Sequence, residues 1–141
     1  ANCISHQLIE RNAWDRDFVE RFCNFRGPGE PQTLKGEPIT FEQFRASVAE
    51  YTIEKTSQIS GLSADQLKLL GDRFADRSRK ILSLWCMGMN QHTQGTAINN
   101  LVHAIHLLSG HFGTPGDGPQ SLTGQPSACG TVREVGTLAH A

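Results

Sequence analysis

The stretch Ile81-Leu82-Ser83-Leu84-Trp85-Cys86-Met87-Gly88-Met89-Asn90-Gln91-His92-Thr93-Gln94-Gly95 decides how this chain folds. Its first five residues form a short apolar run, read as a buried strand at about 80–85. A glycine-containing polar turn follows. The periodicity then predicts a helix from Thr96 to Ser109, with Ile98, Leu101, Val102, Ile105 and Leu108 as its apolar face and Gly110 closing it. Strand, glycine loop and helix make the half-unit of α/β ligand-binding folds, whose ligands sit outside the carboxyl ends of strands. Residues 86–95 therefore occupy the expected binding position. Asn90, Gln91 and Thr93 there read either as hydrogen-bonding groups for a ligand or as a polar turn.

Upstream, residues 1–76 read as helical. Ile4, Leu8 and Ile9 share one side of a helix from Asn2 to Arg11. Phe18, Val19 and Phe22 recur at helical spacing between Asp15 and Asn24. Residues 26–38 hold three prolines and three glycines and read as a loop. Thr40-Phe41-Glu42-Gln43 and Ser63-Ala64-Asp65-Gln66 are capping-box patterns. The first opens a helix bearing Phe41, Phe44 and Val48. The second opens one, about 64–76, expected to bury Leu67, Leu70 and Phe74. Between them, Thr52 to Ser60 reads as a helix ending at Gly61.

Downstream, residues 111–141 read as a Gly/Pro-rich loop and a short helix. With few apolar anchors, the loop at 111–130 is expected to be unordered without a ligand. Arg133 beside Glu134 reads as a surface ion pair or as an anion-reading guanidinium on a glycine-rich loop.

The whole spans 141 residues, one domain's worth, with 13 basic against 14 acidic residues for a net charge of −1. That balance argues against nucleic acid as a partner, since displacing counterions from phosphates needs a basic excess. No apolar run approaches the roughly 18 residues of a membrane span. Cys3, Cys23, Cys86 and Cys129 form no Cys-x-x-Cys and read as separate small hydrophobes. His103 and His106 lie three apart, with His92 and His111 flanking. Residues 92–111 contain no Asp or Glu, so these read as satisfied histidines, and no metal ligand is assigned.

From Leu84 onward the sequence resembles the molybdopterin-dependent oxidoreductases, and most closely the catalytic subunits of the periplasmic nitrate reductases. The resemblance runs through Leu84 to Gly95, Asn99-Asn100-Leu101-Val102, Ile105 to Gly110, and Gly113-Thr114-Pro115-Gly116-Asp117-Gly118-Pro119. Its most specific part is Ser121-Leu122-Thr123-Gly124-Gln125-Pro126-Ser127-Ala128-Cys129-Gly130-Thr131 with Arg133-Glu134-Val135-Gly136-Thr137. It is strong over about 80–140 and weaker but colinear over 1–76.

The resemblance implies an α/β fold: a mostly helical segment with one clear strand, an interior part of a Rossmann-like cofactor-binding domain. The rest of its parallel sheet would come from elsewhere. It implies reduction of nitrate to nitrite by oxygen-atom transfer at molybdenum held by bis-molybdopterin guanine dinucleotide. Met87 and Gln91 would contact cofactor; Arg133 and Gln125 would lie at the metal site, as catalytic residues. A planar guanidinium matches nitrate in shape and charge. The implied partners are the remainder of the catalytic subunit and a cytochrome-type electron donor, in the periplasm. The family's 4Fe-4S cluster and molybdenum thiolate need cysteine motifs that this chain does not contain. Alternatives are an assimilatory nitrate reductase or a formate dehydrogenase, or a cofactor-free helical interaction module.

Overall fold

The computed structural model describes residues 1–27 and 36–122. Over these residues the chain mixes helices with two small sheets. The helices are α1 (Asn2–Glu10), α2 (Arg16–Phe22), α3 (Phe41–Val48), α4 (Ile53–Ser60), α5 (Ala64–Ala75), α6 (Met87–Asn90) and α7 (Gly95–Ser109). The strands are β1 (Phe25–Arg26), β2 (Pro38–Ile39), β3 (Leu82–Trp85) and β4 (Gly118–Ser121).

Local chemistry explains the helix starts. Asp15 accepts the Phe18 N–H at 3.1 Å and caps α2. Thr40 and Ser63 close reciprocal capping boxes with Gln43 and Gln66 at the heads of α3 and α5. Thr52 caps α4, which ends at Gly61 in the left-handed region, φ +73°.

The core gathers Ile4, Leu8 and Ile9 of α1, Val19 of α2, Val48 of α3, Phe74 of α5, and Ile105 and Leu108 of α7. The first helix is thus central, packed against α3, α5 and α7. Its contact with α5 is close and polar: Gln7 Nε2 donates to the Leu67 carbonyl at 3.1 Å. Gly71 leaves room for that amide, because a Cβ there would run into it. Phe41 and Phe44 are partly buried against this core and ring Phe25. Leu70 and Phe22, expected on buried faces, are exposed. Helical spacing places both near the apolar stripe, but among the described residues no element covers the flank on which they stand.

The sheets correct the sequence reading in two places. First, β1 and β2 pair antiparallel across the two ends of the segment read as loop, with Phe25 opposite Ile39 and Arg26 opposite Pro38. Second, β3 has a parallel partner within this chain: β4 runs Leu82↔Gly118 to Trp85↔Ser121. Part of the segment read as an unordered loop is therefore a strand, and residues 111–122 follow a defined path. Pro119 is tolerated because β4 is an edge strand. The helix α7 connects the two strands, as a parallel pair requires. Residues 123–141, including the expected C-terminal helix, lie outside the described residues.

Leu8 is fully buried at the centre of this arrangement. Leu8→Ala is expected to cost about 2–5 kcal/mol in urea denaturation. Leu70→Ala, on the exposed flank, should stay within about 0.5 kcal/mol. Equal losses would mean that α5 is seated differently.

Candidate functional site

Because β3 and β4 are parallel, their carboxyl ends emerge at one edge. Leu122 N–H donates to the Trp85 carbonyl at 2.7 Å, so the exits of both strands are tied together. Two segments singled out in the sequence, one starting at Cys86 and the other at Ser121, thus depart side by side. Such an edge is where open α/β sheets hold ligands.

The first segment is a compact turn. Met89 and Asn90 N–H both donate to the Cys86 carbonyl, at 3.0 and 3.1 Å, which makes the single turn α6. Gly95 then starts α7 in close contact with α6: a Cβ would run into the Asn90 carbonyl oxygen, so glycine is required by space. Beneath the turn lies Trp85, buried, with its indole N–H shared between Asn90 Oδ1 at 3.1 Å and Asn99 Oδ1. Asn99 also donates to the Gly95 carbonyl at 2.7 Å, and His103 packs edge-on against the indole.

These contacts separate the sequence candidates. Asn90 belongs to the scaffold, because its amide oxygen is used on Trp85. Met87 and Gln91 both stand exposed on the turn, as does Thr93. Gln125 and Arg133 lie outside the described residues. No protein-family model matches the chain.

Each neighbouring histidine is held by a hydrogen bond. His92 Nε2 lies 2.8 Å from the Gly88 carbonyl, and His103 Nδ1 2.9 Å from the Asn99 carbonyl. His106 Nε2 lies 2.8 Å from Ser83 Oγ, the spacing of a base and a nucleophile. His106 is wholly buried, however, so this pair fastens β3 to α7 rather than meeting a substrate. Among the described residues, no three His, Cys, Asp or Glu side chains are grouped to hold a metal.

A second concavity escaped sequence reasoning. Val19, Cys23, Phe25, Phe44, His103 and Leu107 line a cavity of about 360 Å³ between α2, β1 and α7. Its residues come from distant parts of the chain, so no local motif announces it. Burial, followed by the charge of Asp15, pushes the Cys23 thiol up from its ordinary value, so it is no activated nucleophile.

The packing of the turn can be tested through Gly95. Gly95→Ala is expected to cost about 1–3 kcal/mol and to red-shift Trp85 fluorescence in a Trp14→Phe background. Gly88→Ala, at a position where a Cβ meets nothing within 4 Å, should leave the emission unchanged.

Proposed function

We propose that this chain forms the cofactor edge of a molybdenum-dependent nitrate reductase of the periplasmic type. The observation that carries the reading is the parallel register. It brings the departure points of the two segments that most resemble that family, after Trp85 and after Ser121, to one edge of one sheet.

The residues present suit a pterin-dinucleotide ligand. The turn 86–95 contains no formally charged side chain, and it offers Gln91, Thr93 and Gln94 to solvent on a rigid base. Neutral hydrogen-bonding groups on a fixed scaffold fit polar heterocycle edges. When bound, the molybdenum cofactor would supply the oxygen-accepting metal. Met87 and Gln91 would contact and orient the cofactor, and Arg133 with Gln125 would hold nitrate by charge and planarity. The thiolate on molybdenum and the 4Fe-4S cluster would come from cysteines outside this sequence, and electrons from a cytochrome-type donor.

The sheet supports membership of a larger α/β domain. Ser83 and Trp85 face α7, so Leu82 and Leu84 project from the opposite face, where they are 47% and 53% exposed. Parallel sheets are ordinarily covered on both faces. The same exposed leucines favour a second reading, a cofactor-free module that docks a protein partner there.

The test uses the polypeptide that carries this segment, produced with molybdate. It should hold molybdenum and guanine nucleotide and should reduce nitrate in preference to formate. Arg133→Ala should lower kcat/KM for nitrate by about 10²–10³-fold with metal content unchanged. Met87→Ala combined with Gln91→Ala should lower cofactor retention. Absence of molybdenum, or an Arg133→Ala variant with full nitrate activity, would reject the reading.

A further inference from the structure

We propose that His106, fastened through His111 and Asp117 to the start of the strand pair, is an acid-sensitive latch: protonating its buried ring undocks the β3–β4 pair from α7. The inference is independent of any cofactor.

The geometry fixes the protonation states. His106 Nδ1 lies 2.8 Å from the His111 carbonyl, an acceptor only, so Nδ1 carries the hydrogen and donates. Its Nε2 then accepts from the Ser83 hydroxyl at 2.8 Å. Both nitrogens of this wholly buried ring are used in the neutral form. A second proton would force the Ser83 hydroxyl to reverse and would leave a cation in a site with no exposure.

His111 continues the network. It is 2% exposed, and its Nδ1 lies 3.2 Å from the Asp117 carboxylate. Its Nε2 is buried without a hydrogen-bond partner among the described residues. Asp117 in turn accepts the Ile81 N–H at 2.9 Å, at the point where Gly118 N–H donates back to the Ile81 carbonyl at 2.8 Å. The latch is therefore built into the first rung of the parallel pair.

The charged and titratable groups around the rings come from several elements. His103 lies on α7, and Lys80 precedes β3 and donates to Thr114 at 3.0 Å. Arg77 pairs with Asp15 beside Gly110. The fifth helix presents the Phe74 ring, edge-on to both imidazoles.

Burial holds the His106 ring below the ordinary imidazole value. The neighbouring His111 and His103 rings act in the same direction, and the His111 carbonyl and Asp117 act against it. The released chain therefore takes up a proton at His106 near pH 6.5, whereas the docked chain does so only at lower pH. Docking is thus fully favourable above about pH 6.5 and weakens as pH falls through the interval below it, by about tenfold per unit while the docked ring stays neutral. Asp117 contributes in a separate, lower window. Burial would raise its carboxyl, but the Ile81 N–H, the His111 ring and Lys80 together hold it below the ordinary carboxylate value. Its contribution is present above about pH 4 and is lost only as pH falls further.

Amide exchange between pH 7.5 and 5, corrected for intrinsic rates, reads this directly in the 141-residue chain, alongside imidazole nitrogen shifts. Protection of Gly118 and Leu122 should fall about tenfold per unit below pH 6.5, with His106 neutral and protonated at Nδ1 above it. His106→Gln, which cannot titrate, should flatten most of that slope. PH-independent protection in the wild type, or the same slope in His106→Gln, would overturn the latch. If His106→Gln does not fold, the wild-type titration decides: a ring that gains its second proton while Gly118 and Leu122 stay protected refutes the proposal.

Discussion

The Asp117 carboxylate joins two segments that are far apart in sequence. Its side chain is almost wholly buried, yet it accepts the Ile81 N–H and the His111 ring while Thr114 and Lys80 close the turn above it. An ionised carboxylate in such a place is tolerated only when its lone pairs are filled. Once they are, Ile81 and Gly118 are in register and the next rungs follow. Gly118 adopts φ +124°, a conformation that side chains rarely take. The glycines that make this region look unstructured are thus part of what lets the turn fit under its carboxylate.

What the sheet then positions is a neutral edge on a rigid footing. Trp85 is locked by Asn90 and Asn99 below the turn, and Leu122 is tied to Trp85 from the neighbouring strand. Exposed groups on such a base lose little conformational freedom on binding, which favours recognition by shape and hydrogen bonding. The edge has no fixed charge of its own among residues 86–95. Any anionic substrate brought to it would have to find its countercharge elsewhere, the role that Arg133 takes in the proposed reading.

Legibility followed the range of the interactions. The caps at Thr40, Thr52 and Ser63 act over three residues, so the starts of α3, α4 and α5 could be read from the sequence. The exposed turn carrying Met87 and Gln91 was equally visible, since it follows an apolar run directly. The strand β4 was not. Gly-Pro-Gln-Ser has poor strand propensity, and its partner lies 36 residues away along the Ile81–Asp117 bond. The two-residue strands β1 and β2 carry no periodicity to detect. Asn90 could not be separated from Gln91 by pattern, because both are exposed and only the bond of Asn90 to a buried indole on a different element tells them apart.

The seventh helix shows why hydrophobic periodicity alone described half of its packing. Ile105 and Leu108 turn into the core beside α1, as an apolar face should. Asn99, His103 and His106 fall on another face, at positions i, i+4 and i+7, and meet Trp85, Ser83 and the turn before β4. The sequence reads the two histidines as satisfied but cannot name their partners, and periodicity says nothing of Asn99. Here they form the stripe that receives the sheet. An apolar stripe would tolerate sliding of β3 along α7, whereas each of these groups has a specific partner and a displaced strand would leave buried polar atoms unpaired. The sheet, small as it is, is fixed in register by directional bonds, and the His106 ring at their centre spends both of its nitrogens on them.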